Sequence, residues 1–533
     1  MNTASIYDSA IAGLQYAQAG MVATSQNVTG SNVAGYVRRN PDLQISSLSP
    51  SSIEPGGTAF SVEGFTRNFN ALLQGQLLSQ QSKTSYTATL TQAVATLDAT
   101  LVDPSASIAT ALGNFFNAAG SLANDPANQA YQQALAGAAN QVGDRIRGLA
   151  DVVGNLENDA RQGLADVLNQ ANTLAPQLAD INVKIRNATV PGVSFPSGDL
   201  LDERDRITSK LQELIGGTTT INEDGTASYS LNGLQLVDRQ SFNQFTNSSH
   251  TTPVTADAFP WGVQLRVNSP RNQPSVYTPL GSPETVQTQN GQPVVVPASA
   301  PPFKDGQAGA YFLLVQNFVP TLQKSLNLLA VELVHRVNDV TGSSSPIFGF
   351  QRTDGVSGYV SNLAAVDTLG QSIAVTTPVN PNSMAALVNS SGFDTFQELV
   401  DGATPGSSTY SRTVSSVALA FDARRFTAVI ASAPTLTATT ANSLEGLRTT
   451  FTQPVTFITS SVANTIATWS NNHKTNVAMS QVLSDQKNAI SGVNLDEEAA
   501  NLVKYQQLYN ASSKLIQTNR QMFDTLLAML SGN

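Results

Sequence analysis

A chain of 533 residues has room for several domains, yet only 12% of them are charged and the net charge is −10. The concentrated Lys and Arg that nucleic-acid binding requires are therefore missing. There is no cysteine, which excludes disulfides, thiolate metal sites and thiol nucleophiles, and no run of about 18 apolar residues that would predict membrane insertion as a helix.

The amino-terminal stretch carries Tyr7, Leu14, Met21 and Val28 at every seventh position, alternating with small Ala10, Ala17, Thr24 and Ser31. Such a sustained heptad predicts a long helix that packs on other helices. The first basic residue is Arg38 and no apolar core precedes it, so no cleaved secretory signal is expected. Asn32, Gly35 and Tyr36 close this segment. Two readings fit them: a plain helix stop, or a turn that leaves an inner rod and docks it on neighbours.

Residues 59–215 read as helical. One helix is expected over 72–101 and another over 108–122, then Asp125 as a cap with Pro126 in the first turn of the next. That next helix is very long, with Ala139, Ile146, Val153, Ala160, Val167, Leu174 and Ile181 in one row and Leu135, Val142, Leu149 and Leu156 in a second; Pro176 is expected to kink or end it. A loop rich in Pro and Gly leads to a helix over 200–215, stopped by Gly216 and Gly217. A metal or acid/base cluster can be imagined at Asp199, Asp202, Glu203 and Asp205, but acids at a helix start are mostly solvated caps.

From 218 to 303 the period changes to two, with an Asp224-Gly225 turn between strands, and a small antiparallel β region is expected. Asn222-Glu-Asp-Gly resembles half a calcium loop but lacks the alternating ligands and closing Glu, which favours a hairpin turn. A helix resumes over 307–340, bent at Pro320. Residues 341–434 read as a second β-rich insertion, with alternating runs at 372–377 and 411–421. Helix returns over 441–490, and Gly492 separates it from the last segment.

That segment repeats Leu495, Leu502, Tyr509, Ile516, Phe523 and Leu530 every seventh position, a rod of about 54 Å at ~1.5 Å per residue. A second stripe, Leu508, Leu515, Met522 and Met529, widens the apolar face beyond a two-stranded seam. Asn494 is expected to cap the helix with Glu497 as its capping-box partner, while Asp496, Glu497 and Glu498 complement the dipole. A helix so broadly apolar needs several neighbours, so both ends are expected to be mobile in the free chain and to order when other copies supply them.

The fold class is mainly α with β insertions, and the organisation is nested. A terminal helical core (1–40 plus 491–533) encloses a long-helix bundle (41–217 plus 307–340 plus 441–490). A small β region (218–306) and an outer β-rich insertion (341–440) complete it.

Ser491-Gly-Val-Asn-Leu-Asp-Glu-Glu-Ala-Ala-Asn-Leu, continuing through Tyr505-Gln-Gln-Leu-Tyr-Asn-Ala-Ser-Ser-Lys-Leu-Ile-Gln and Phe523-Asp-Thr-Leu-Leu, resembles the carboxyl-terminal signature of the flagellar hook-associated protein 1 (FlgK) family. Gly13-Leu14 with Ser25-Gln-Asn-Val-Thr-Gly-Ser-Asn-Val-Ala-Gly-Tyr-Val-Arg is similar to a motif shared by rod, hook and hook-associated proteins. Asn124-Asp-Pro-Ala-Asn and Gly198-Asp-Leu-Leu-Asp-Glu-Arg-Asp also resemble FlgK segments. The resemblance covers roughly 1–215, 307–339 and 461–533, with a family-like hairpin at 222–237. Val37 and Arg39 depart from the Thr and Gln more usual after Gly-Tyr, and Thr29-Gly30 replaces a usual Ala-Asn or Asn-Asn step.

The resemblance implies a structural, non-enzymatic junction protein outside the cell, forming a ring that joins hook to filament. It implies export through the flagellar type III apparatus without a cleaved signal. The implied partners are other copies of the chain, the hook protein, the second hook-associated junction protein and a cytoplasmic export chaperone that shields the last helix. The expected assembly interface is Tyr7, Leu14, Met21, Val28, Asn32, Gly35 and Tyr36 at one end. At the other it is Asn494, Leu495, Glu497, Leu502, Leu508, Tyr509, Leu515, Ile516, Phe523 and Leu530.

No cofactor or metal is expected, since His250, His335 and His473 have no metal-ligand spacing and no nucleophile elbow or phosphate loop occurs. Other classes stay open: another flagellar axial protein, a coiled-coil adhesin or secretion translocator, or a hydrolase within the β insertions, which would need convergent carboxylates.

Overall fold

The structure, a computed structural model, describes residues 3–33, 35–46, 59–188, 197–259, 262–267, 276–280, 285–289, 292–296, 303–341, 347–351, 359–360, 421–423 and 437–531. Helix α1 (Thr3–Gly30) leads into a hairpin of β1 (Arg39–Ser46) and β2 (Ala59–Arg67), in which Arg39 faces Arg67. The helical reading of 59–67 is thereby corrected. Phe60, Ser61, Val62 and Glu63 alternate apolar and polar as a strand does, and the alternation breaks at Gly64, opposite a register shift between Asp42 and Leu43.

The helix expected over 72–101 is two, α2 (Ala71–Ala93) and α3 (Ala95–Val102), because Val94 leaves the helical region at φ −88° and ψ 3°. After α4 (Ile108–Asn124), Asp125 ends that helix, and Asn128 rather than Asp125 accepts the next free amide, from Ala130 at 3.0 Å. Helix α5 (Gln129–Ala188) runs unbroken through Pro176 for 60 residues. A proline removes one hydrogen bond, and the burial of Ala171, Ala175, Leu178 and Ala179 around it holds the helix together. Helix α6 (Gly198–Ile215) stops where Gly216 and Gly217 take φ of 68° and 97°.

The β region begins with a four-stranded antiparallel sheet, β3 (Thr218–Ile221), β4 (Ala227–Leu231), β5 (Leu234–Asp238) and β6 (Ser241–Phe242), in sequence order. At its first turn Asp224 accepts from the Thr226 amide at 3.0 Å, a hairpin geometry. A three-stranded sheet follows, β7 (Gln244–Thr246), β8 (Gln264–Val267) and β9 (Val276–Pro279), then the pair β10 (Thr285–Gln289) and β11 (Gln292–Val296).

Helix α7 (Gly306–Leu313) passes through a π-turn at Leu314–Phe318 into α8 (Val319–Thr341). The wide turn falls just before Pro320, which lacks the amide needed to continue a normal turn. Strands β12 (Phe348–Gln351), β13 (Tyr359–Val360) and β14 (Phe421–Ala423) form a sheet with β12 central. The alternating runs expected at 372–377 and over most of 411–421 lie outside the described residues. Helices α9 (Ala438–Gly446), α10 (Arg448–Ser491) and α11 (Leu495–Ser531) end the chain.

One continuous core follows α5, fed by α4, α6, α7, α8 and α10. Phe115 meets Phe348 at 5.4 Å and Phe116 stacks on Phe451 at 6.3 Å between centroids. Three asparagines of α5 hold the β region by its backbone. Asn169 accepts from the Val254 amide and donates to its carbonyl, each at 2.9 Å. Asn172 does the same to Phe245 at 2.7 and 2.8 Å, and Asn182 to Ala227 at 2.8 and 2.7 Å, with a further bond to the Arg239 carbonyl. Each amide thus stands in for a neighbouring strand.

Candidate assembly interface at the paired termini

Helices α1 and α11 pack antiparallel, and the faces that meet are small or polar. Along α11 the residues buried in this contact recur every seventh position: Glu498, Tyr505, Ser512 and Asn519. Along α1 they meet Asn27, Gly20 and Gly13. A β-carbon on Gly13 would lie 2.7 Å from Ser512 Oγ, and one on Gly20 would collide with the Tyr505 ring. Ala10, Ala17 and Thr24 are buried in the same face. Tyr16 meets Tyr505 edge to face at 5.7 Å. Burial, reinforced by Tyr16, pushes the Tyr505 phenol up to about 12.

The apolar heptads lie outside this pair. Tyr7 and Val28 are exposed, Leu14 and Met21 half-buried. On α11, Leu495 is 54%, Leu515 51% and Phe523 56% exposed; Leu502 and Met522 are also exposed, and Leu508, Tyr509 and Ile516 half-buried. Leu530 falls in the last turn of α11, where side chains lie outside the described residues. Both terminal helices are formed and paired within one chain, unlike the expectation that they order only among copies. Small residues allow close backbone approach, so the pair forms while its apolar rows stay uncovered.

The turn after α1 docks on its own chain. Gly35, exposed, takes φ 87°, which suits glycine. Tyr36 lies against the bare Gly30 and donates to Asn27 Oδ1 at 2.9 Å. Asn32 is exposed. Asn27 also accepts from the Arg39 amide at 2.9 Å and donates to the Arg39 carbonyl at 3.0 Å and to Glu498 at 3.1 Å. At the start of α11, Asn494 accepts from the Asp496 amide at 3.0 Å. Glu497 reaches Arg38 at 2.7 Å rather than serving as a capping-box partner, and Arg38 also meets Glu498 at 2.8 Å.

A charged cluster ties this pair to the body. Arg39 reaches Asp199 at 2.7 Å and Asp202 at 2.9 Å; Arg67 reaches Asp202 at 2.8 Å and Asp205 at 2.7 Å. Like charges facing across a hairpin repel, and Asp202 answers this by ion-pairing with both guanidiniums. Burial lifts the Asp202 carboxyl above its ordinary value, against the pull of Arg67 and Arg39. Burial opposes the charge on Arg39, but hydrogen bonds to Asp199 and Asp202 hold its pKa above the ordinary value. Burial lowers the nearby Lys487 amine, and Asp205 acts the other way.

The reading of these acids as mostly solvated caps is thus corrected for Asp202 and Asp205, which are largely buried, while Asp199 keeps an exposed side chain. Sequence reasoning missed Asn27, Arg38, Arg67 and Glu498 as organising residues, and noted Arg39 only as a departure from the family pattern. The available signal was three arginines around a hairpin in a chain with few of them.

The terminal segment, residues 487–529, matches the family model described as flagellar basal body rod FlgEFG protein C-terminal. That match likens the terminal pair to the ends of flagellar rod proteins, and no helix among the described residues is long and apolar enough to cross a membrane. Residues 94–344 match the model described as flagellar hook-associated protein FlgK helical domain. Flagellar hook-associated protein 1 of Salmonella typhimurium is 24% identical over 98% of this chain and 99% of its own length. The protein of that name from Escherichia coli is 24% identical over the same shares. The chain is thus similar to flagellar hook-associated protein 1 (FlgK) along nearly its whole length. A solved structure, the flagellar hook junction protein FlgK from Burkholderia pseudomallei, is 22% identical over 52% of this chain and 47% of that one, with a TM-score of 0.40.

Proposed function

We propose that this protein is a structural junction subunit of the bacterial flagellum. Copies join hook to filament by laying the apolar rows of α1 and α11 against neighbouring copies and against adjoining axial subunits. One observation carries the reading: the intrachain pair is satisfied by small and polar residues, so rows such as Leu495, Leu502 and Phe523 stay exposed in a single chain. Apolar surface of this extent calls for a partner. The assembly interface is then the apolar set at both termini, with 1–40 and 491–533 acting as the core domain and the bundle and β regions lying outside it.

The partners in this reading are other copies, the hook protein, the second hook-associated junction protein and, before export, a cytoplasmic chaperone covering the apolar face of α11. Export runs through the flagellar type III apparatus without a cleaved signal, and the working location is the hook-filament junction outside the cell.

The test uses a strain lacking the protein. Complementation with Leu502→Asp or Ile516→Asp should leave bare hooks and filament protein in the medium, because a charge in a closed apolar core is costly, while the purified variant keeps a folded body. Normal filaments with either variant would refute the interface.

A further inference from the structure

Gly13, Gly20 and Asn27 step by seven along α1 while Ser512, Tyr505 and Glu498 step back by seven along α11, and each pair is in contact. The three pairs differ in kind. A hydroxyl fills the first glycine slot, an aromatic ring the second, and an amide meets a carboxylate in the third. We propose that this row is a register key, which admits α1 on α11 at one alignment only and so sets where the apolar heptads stand in every subunit. The inference rests on the assembly reading for its purpose, though not for its test.

Both directions of slip carry one penalty, and one of them carries a second. A shift of seven residues one way sets Tyr505 against Asn27, whose side chain fills the space that the ring takes over the bare Gly20. A shift the other way sets Glu498 against Gly20; in either shift it moves about 10 Å along α1, away from Asn27, which bonds it at 3.1 Å, and from Arg38, which meets it at 2.8 Å. A buried carboxylate stripped of its partners is strongly disfavoured. The apolar rows alone offer no such discrimination, since a heptad slip brings like onto like. Polar residues within such a seam are a known means of fixing alignment.

The chain has no cysteine, so introduced thiols report the alignment without background. The Ser512 β-carbon lies 3.7 Å from the β-carbon position of Gly13, within the disulfide range of about 3.5–4.5 Å. Under a mild oxidant, purified monomer carrying Gly13→Cys/Ser512→Cys should close its disulfide almost completely, while Gly13→Cys/Asn519→Cys, one heptad out, should stay open. Both share the strain of Gly13→Cys, so it cancels in the comparison. Adding Tyr505→Ala together with Glu498→Ala, which removes both penalties, should let the slipped pair close to a comparable extent, and Tyr505→Phe with Glu498→Ala, which keeps the ring, should not.

Equal closure of the two pairs with Tyr505 intact would overturn the proposal. So would a slipped pair that stays open after Tyr505→Ala with Glu498→Ala and helix content unchanged. If that variant loses helix, the comparison with Tyr505 intact still decides the matter. Because the reading is made on monomer, failure here is separable from failure at the hook, where the Leu502→Asp test applies.

Discussion

The side-chain amide of Asn27 donates to the carboxylate of Glu498 at 3.1 Å, joining residues 471 positions apart in the chain. The same amide oxygen accepts from Tyr36 and from the Arg39 backbone. One short side chain therefore ties together α1, the turn after it, the hairpin and α11. Replacing it with alanine leaves several buried partners unsatisfied, at about 1–3 kcal/mol for each. Hydrogen exchange on Asn27→Ala should show faster exchange in α1 and the first turns of α11, with protection in α5 unchanged. Equal protection in both proteins would show that the bond carries no weight.

Two glycines predict opposite signs for one chemical change. Gly148 lies in α5 with open space around it, so Gly148→Ala should stabilise by about 0.5–1 kcal/mol through helix propensity. Gly20 lies beneath the Tyr505 ring, and Gly20→Ala should cost about 1–3 kcal/mol by overpacking. Denaturant midpoints of the two variants should move in opposite directions, provided Gly20→Ala is read with a probe in the terminal pair.

Asn182 is fully buried and satisfies both backbone groups of Ala227. Asn182→Ala strands three backbone groups, and the loss should reach about 2–4 kcal/mol. Thermal unfolding should fall, and amides of β4 should exchange early. A neutral effect would mean that water takes over the bonds.

The Tyr505 phenol titrates at about 12, up from 10.0, because burial disfavours its anion. A raised pKa means that the fold holds the proton more tightly than the unfolded chain does. The contribution is complete below about pH 10 and is lost as pH rises through about 12. The pairing of α1 and α11 should loosen over that window. Near-ultraviolet titration should lose one late phenol in Tyr505→Phe, and that variant should keep its pairing to higher pH than the native protein.

The seven-residue period made both terminal helices legible, but not the row by which they meet. Leu502 and Ile516 carry a strong apolar signal, whereas Gly13 and Ser512 carry none. Their meaning lies in a fit of sizes between residues nearly the whole chain apart. The long helix at Ala139 through Ile181 was readable for the same reason, and it does not end at Pro176 because burial on either side outweighs one lost bond. Asp202 and Asp205 read as caps because their partners, Arg39 and Arg67, stand more than 130 positions earlier, a separation no local pattern spans.

The amides of Asn169, Asn172 and Asn182 touch only main-chain atoms of the β region. Such a mount is blind to the side chains it carries. Outward-facing positions there can drift without loosening the attachment, much as a lamp socket accepts any bulb with the right base.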